Sequence, residues 1–287
     1  MKVSVIIPIY KGNKYINGLI RMISRNMDYI RSHGDSIDID LVLVNDFPDI
    51  PLKAEELEKS HDFNILTADN CKNQGIHQTR VNGLKIASGE YILMLDQDDE
   101  IPDNCIGSQC AAIGTADIVV GNGYKMIDGK KKLIYKTDKK HSLCKNEKIY
   151  LLAANQKVSP GHCLIKKDAI PKEWYEFVVN DNGGDDLFLW LLMFEKKCSF
   201  VINRDCVYTH IDTGQNLSLD LEKMYKSSDN VIELCRKSGA VDEKTVCAYE
   251  RRIRYLREMQ SDSKIKKISA CIRNIDICFY KLYAYYR

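Results

Sequence analysis

The apolar positions of the first hundred residues alternate between unbroken runs and helically spaced stripes. VSVIIPIY at 3–10 is almost continuously apolar and predicts a strand buried on both faces. Pro8 cannot donate to a ladder, so it marks the exit of that strand. After a turn at 11–13, Ile16, Ile20, Ile23, Met27 and Ile30 recur at 4-3-4-3 spacing. That is one apolar face of a helix, which His33-Gly34 ends. Residues 37–44 predict a second strand, running into the polar, proline-containing loop NDFPD at 45–49. A short helix is predicted over 54–60 and a third strand over 63–67. Residues 75–87 have helical periodicity, Ser88-Gly89 reads as the stop signal, and YILML at 91–95 is a fourth buried strand.

This alternation predicts an α/β fold with a mostly parallel sheet flanked by helices on both faces. In such sheets ligands sit beyond the carboxyl ends of the strands. Tyr10, Asp46 and the acids from Asp96 onward all fall there. Farther on, the pattern predicts a helix over 102–112, a strand over 118–121, a lysine-rich hairpin or loop over 125–140, a helix over 147–155 and a turn into a strand over 159–165. A helix over 187–195 follows, then two short apolar pieces at 201–203 and 206–208. Beyond residue 220 the chain reads as a helical extension, with helices over 221–237 and 243–260 and a last one from about 263, and a break at Ser238-Gly239.

The last stretch carries Lys264, Lys266, Lys267, Arg273, Lys281 and Arg287 against Asp276 alone. Ile265, Ile268, Ile272, Ile275, Phe279 and Leu282 repeat there at helical spacing. Two readings stand: a helix lying on a membrane surface, or a terminal helix packed on the catalytic core or on a second subunit.

Composition narrows the class. With 45% hydrophobic and 29% charged residues the chain is an ordinary globular one. Its net charge of +2 makes no case for nucleic acid. No apolar run approaches membrane-span length, and the N-terminus lacks the features of a signal peptide. These points lead to the expectation of a cytoplasmic protein, at most peripheral to the inner face of the plasma membrane. Eleven cysteines without a CxxC pair point to reduced, buried thiols rather than disulfides or zinc.

The chemistry concentrates in two acidic groups. Asp96, Asp98, Asp99 and Glu100 place four carboxylates within five residues at the end of a buried strand. Such charges repel. The stretch is either a solvated acidic turn or a site for a hard divalent ion, Mn²⁺ or Mg²⁺. Neither GxGxxG nor GxxxxGK[ST] occurs, so phosphates bound here would be held by such a cation and not by a glycine cradle. The second group, Asp185 and Asp186, opens a helix. The helix dipole alone is a structural reason for acids there, while Gly183 and Gly184 before them suggest a tight turn that delivers a carboxylate into a cleft. His162 at a turn and His210 at a strand end fit structural roles as readily as ligand contacts.

Several stretches, VSVIIPIYKG, VNDFPD, NQGIHQTRVNGLKIASGEYILMLDQDD, GDDLFLWL and VYTHIDTGQNLS, occur in an order that resembles the family 2 glycosyltransferases of the GT-A fold. The resemblance covers roughly residues 1–218. It implies inverting transfer of a sugar from a nucleotide-diphosphate donor, a UDP-sugar first, to a hydroxyl of a glycan or lipid-linked acceptor. The setting it implies is cell-surface polysaccharide biosynthesis, with Mn²⁺ or Mg²⁺. It divides the chain into a catalytic domain, 1–219, and the extension, 220–287, with 1–100 as the nucleotide half and 101–219 as the acceptor half.

Carried over by residue, Pro8 and Tyr10 line the base and Asp46 contacts base or ribose, with Asn45 where the family often has a second acid. Arg80 lies near the diphosphate or the acidic loop. Asp96 and Asp98 match the DxD motif, with Asp98 the direct metal ligand, and Asp99 binds metal or sugar or caps the turn. Asp186 becomes the general base, Asp185 a supporting acceptor-binding residue, and His210 a metal or diphosphate contact. Ser218 matches the end of the last of these stretches. Separately, Gly214 and its polar neighbours lead to the expectation of a flexible lid over the donor at 211–220. The competing classes are a nucleotidyltransferase, which would have a glycine-rich loop after the first strand, and an inactive sugar-nucleotide-binding protein.

Overall fold

The computed structural model describes residues 1–179, 183–212 and 220–286. The first half follows its apolar pattern. β1 (Lys2–Ile9), β2 (Asp38–Asn45), β3 (Asn64–Asp69) and β4 (Tyr91–Met94) are parallel. α1 (Asn13–Ser32) buries the predicted stripe of Ile16, Ile20, Ile23, Met27 and Ile30. α2 (Gly75–Ile86) covers the other face. The short helix predicted over 54–60 is a single 3-10 turn, Glu55–Glu58. Gly89 is not the left-handed cap that a stop signal implies. A Cβ there would lie 2.5 Å from the Ser4 backbone nitrogen, so the glycine serves close passage over β1.

The second half is mixed. Its elements are α3 (Cys105–Ile113), β5 (Ile118–Ile127), β6 (Lys130–Leu133), α4 (Asp138–Ser142), α5 (Glu147–Leu152), β7 (Cys163–Lys166), α6 (Lys172–Glu176), α7 (Asp185–Glu195) and β8 (Phe200–Ile211). The sheet runs β3-β2-β1-β4-β7-β5-β6, with β8 on β5. β7 is antiparallel to both neighbours. The two apolar pieces predicted at 201–203 and 206–208 are one strand. Register shifts against β5 at Gly121, Asn122 and Tyr124 break its two-residue period, which is why the sequence splits it. The same pairing carries β5 well past its predicted end at Gly121. The lysine-rich stretch is the β5–β6 hairpin, with Lys130, Lys131 and Lys132 exposed.

One apolar layer joins α1 and α3 to the sheet, and a second joins the opposite face to α2, α7 and the extension. α8 (Leu221–Ser238) and α9 (Glu243–Glu258) contribute Val231, Ile232, Val246, Tyr249 and Ile253 to that second layer. They therefore share the core that packs on the sheet. The last predicted helix is two, α10 (Lys264–Arg273) and α11 (Ile275–Tyr286), separated by a buried Asn274. No helix among the described residues is long and apolar enough to cross a membrane. The predicted lid, 211–220, falls mostly on residues 213–219, outside the described ones, and so do Gly214 and Ser218.

Candidate active site

The cleft opens where β1 and β4 part. β1 pairs with β2 as far as Ile9↔Asn45 but with β4 only to Ile6↔Met94. The last link is Leu95 N–H to the Ile6 carbonyl, 3.0 Å. Pro8 lies beyond it, where a missing N–H costs no β4 ladder bond. Tyr10 is half-exposed at the mouth, 5.6 Å edge-on from the Phe47 ring. Gln97 clasps the Tyr10 backbone, accepting from its N–H at 3.0 Å and donating to its carbonyl at 3.2 Å. Asp46 is buried just below. Its carboxylate accepts from Asn70 Nδ2 (2.7 Å), Gln74 N–H (2.7 Å) and Gly75 N–H (3.0 Å). It thus caps α2 from a distant loop, a role with no local signal in the sequence.

α2 carries the central cation. Arg80 is buried and reaches across the cleft floor, donating at 2.5 Å to Asp96 and at 2.5 Å to Asp185. Burial opposes its charge, but Asp185 and Asp96 outweigh that and hold the guanidinium well above its usual pKa. One turn earlier, on the same helix face, His77 packs 4.5 Å from the Trp174 ring. It accepts from Val179 N–H (2.9 Å) and donates to the Trp174 carbonyl (2.8 Å). Burial pushes it down to about 4, so it is a neutral brace. Trp174 Nε1 in turn donates to the Asp185 carbonyl at 2.9 Å. His77 and Trp174 were not singled out by sequence, because a lone histidine in a helix carries no signal.

Asp185 and Asp186 are neighbours with opposite behaviour. They follow Gly183 and Gly184, whose φ of 87° and 94° belong to glycine. A Cβ on Gly184 would also press on Ser227 of α8 at 3.2 Å, so the extension closes over this turn. Burial raises Asp185, but the charge of Arg80 outweighs it and holds the carboxyl below its usual range. Asp186 is raised to about 7, first by burial and then by the charge of Asp185. It accepts from Leu187 N–H at 2.8 Å and faces Asn155 Nδ2 at 3.5 Å. Two adjacent carboxylates driven apart in this way are the usual signature of a proton-transfer site.

The acidic turn is not uniform either. Burial raises Asp96 to about 6, with Arg80 opposing and Asp99, Asp185 and Asp98 adding. Asp98 is also raised, by burial and then by Asp99, and it makes no ion pair among the described residues. Asp99 is tied to β8. It accepts from the Tyr208 hydroxyl, from His210 Nδ1 at 3.1 Å and from Ile211 N–H at 2.9 Å. The Asp99 hydrogen bond raises His210, against its burial. A two-way backbone bridge between Glu100 and Thr209 locks the turn to the strand. His162 is fully buried, hydrogen-bonded to the Gly121 carbonyl (3.0 Å) and to Val158 N–H (3.2 Å). That is the structural one of its two readings.

No three His, Cys, Asp or Glu side chains among the described residues form a metal-binding group. Mg²⁺ sites commonly use one or two carboxylates, with water and substrate phosphates completing the shell. Asp98, its pKa raised beside further carboxylates, fits such a partial set. Asp99 does not, because its oxygens already have protein donors.

Residues 4–174 match the model described as glycosyl transferase family 2. The glycosyltransferase GlyG of Streptococcus pneumoniae is 28% identical over 128 residues, 42% of this chain and 39% of that protein. The dolichol-phosphate mannosyltransferase of Pyrococcus furiosus is 29% identical over 127 residues, 43% of this chain and 34% of that protein. The matched stretch thus spans 39% and 34% of those curated relatives. Among solved structures, S. aureus TarS 1–349 superposes with a TM-score of 0.61 at 14% identity, covering 96% of this chain and 80% of that one. Its complex with UDP-GlcNAc gives 0.59 at 15%, covering 96% and 81%. At that identity the likeness is one of fold.

Proposed function

The chain belongs to glycosyl transferase family 2, and from that membership we propose an inverting, metal-dependent transfer of a sugar from a nucleotide-diphosphate donor to an acceptor hydroxyl. The observation that carries the proposal is the split carboxylate pair at the start of α7, joined through Arg80 to the acidic turn. Tyr10, with Pro8 and Phe47, lines the base. Asp46 shapes the floor beneath base and ribose by fixing α2. Asp96 faces the sugar and diphosphate with Arg80 behind it. A divalent cation at Asp98, with His210 beside it, would supply charge neutralisation for the departing diphosphate.

Asp186 takes the proton as the acceptor oxygen attacks the anomeric carbon. The bond from that carbon to the diphosphate oxygen breaks on the opposite face, and configuration inverts. Asp185 is 3% exposed and turned to Arg80. Its support therefore goes to the base, whose proton affinity its charge raises. The acceptor is a glycan or a lipid-linked glycan, and the setting is cell-surface polysaccharide synthesis.

A general base must be deprotonated to act, so turnover is expected to rise with pH and level off above about 7, where Asp186 titrates. A profile flat between about pH 5 and 8 contradicts that assignment. The reading as a whole is tested by incubating the protein with a panel of NDP-sugars, with Mn²⁺ or Mg²⁺ and then with chelator. TarS binds UDP-GlcNAc, so UDP-sugars come first. Release of nucleoside diphosphate from one donor is expected, lost with chelator and reduced at least about a hundredfold in Asp98→Asn. No release from any donor, or equal release in chelator, contradicts it.

A further inference from the structure

α10 and α11 are docked on the protein by one face and bare on the other. Ala270 and Ile277 pack with Tyr255 of α9, and Ala284 packs with Leu143, Ile149 and Ala153 around α5. The outward face is apolar. On α10, Ile265, Ile268 and Ile272 are 81%, 60% and 72% exposed. On α11, Ile275, Phe279, Leu282 and Tyr286 continue the stripe at 75%, 63%, 56% and 80%. Scattered exposed hydrophobics need no explanation, but a continuous stripe marks an interaction surface.

Charge says what the stripe meets. Lys264, Lys266 and Lys267 flank its start and make no ion pair among the described residues. Arg273 is held by Glu258 and the Lys281 ammonium lies over the Tyr255 ring. The one acid in 264–286, Asp276, is paired with Arg251. A two-fold contact centred on the start of α10 would bring like lysine clusters towards one another, whereas a bilayer with anionic headgroups complements all three lysines at once.

We propose that the outer face of α10–α11 docks on an anionic lipid surface, the isoleucine and aromatic stripe entering the interfacial layer and the three lysines meeting headgroups. Two short helices bent at Asn274 lie along such a plane rather than across it. α11 packs on α5, and the chain leaving α5 brings Asn155 to Asp186. The docked face and the base are thereby connected through one helix. The proposal rests on this surface alone and not on the reaction assigned above.

The full-length chain is mixed with phosphatidylcholine vesicles, with or without about a third phosphatidylglycerol, and floated on a density gradient. Co-flotation is expected only with phosphatidylglycerol present and is expected to be released by high salt. Lys264→Gln/Lys266→Gln/Lys267→Gln should need about a hundredfold more lipid, at roughly a fivefold loss per lysine. Ile272→Glu/Phe279→Glu should abolish flotation while its thermal melt stays at the wild-type value, since both side chains are exposed. The proposal is overturned if the wild type stays unbound with both vesicles, or if both variants float as the wild type does. It is also overturned if the wild type is a dimer that Ile272→Glu/Phe279→Glu splits while vesicle binding is absent.

Discussion

Replacing Arg80 with methionine is expected to destabilise the fold by about 3–5 kcal/mol, the cost of removing one partner from a buried charge network. Arg80 is 2% exposed and bridges two carboxylates on different elements. Asp185 is nearly as buried, and its low pKa depends on that guanidinium. Without it, Asp185 joins Asp96 and Asp186 as a carboxyl raised in the folded state. A raised carboxyl contributes stability that is present at low pH and lost as pH climbs through its folded pKa. The gap between variant and wild type should therefore be small near pH 4 and widest near pH 8. Urea denaturation at the two pH values measures it, and a gap under about 1 kcal/mol at pH 8 contradicts the account. Lysine is not a substitute, because one ammonium cannot span two carboxylates as a planar fork does.

Asp186→Asn is expected to lower turnover by about a thousandfold, within the range general-base catalysis supplies. The amide still faces Asn155 and Leu187, so the site keeps its shape. The same substitution should stabilise the protein. Asp186 is raised to about 7, so its ionisation in the fold becomes unfavourable as pH rises from about 4 to 7 and stays so above. Because the carboxyl is only partly shielded, the gain at pH 8 should be about 1–3 kcal/mol, with almost none at pH 4. A site residue whose loss stabilises the fold is one retained for chemistry.

The layered sheet was legible because its strands and helices carry clean periods. The run at 3–10 and the stripe from Ile16 to Ile30 need only local information. β8 was read as two pieces because bulges break its alternation, and β5 was cut short at Gly121 because only its partner strand shows that it continues. At the site, the acids at 96–99 and 185–186 were legible as clusters. Their division of labour was not. Asp99 belongs to Tyr208, His210 and Ile211, and Asp46 belongs to Asn70 and the start of α2. Arg80 spans Asp96 and Asp185, and His77 and Trp174 brace Asp185. These are pairings between residues far apart in the chain, and no local pattern encodes them. The last helices show the converse. Their apolar spacing was plain, but it could not say that the stripe faces outward.

In the proposed reaction the two ends of the cleft divide the work, the acidic turn holding the donor and Asp186 taking the proton. The most direct test of that division uses the donor that the hydrolysis panel selects. Donor affinity and turnover are measured on the same samples of wild type and Asp186→Asn with Mn²⁺ present. The account predicts a Kd within about threefold of wild type and turnover about a thousandfold lower. Turnover within tenfold of wild type, or donor binding lost together with turnover, would contradict it.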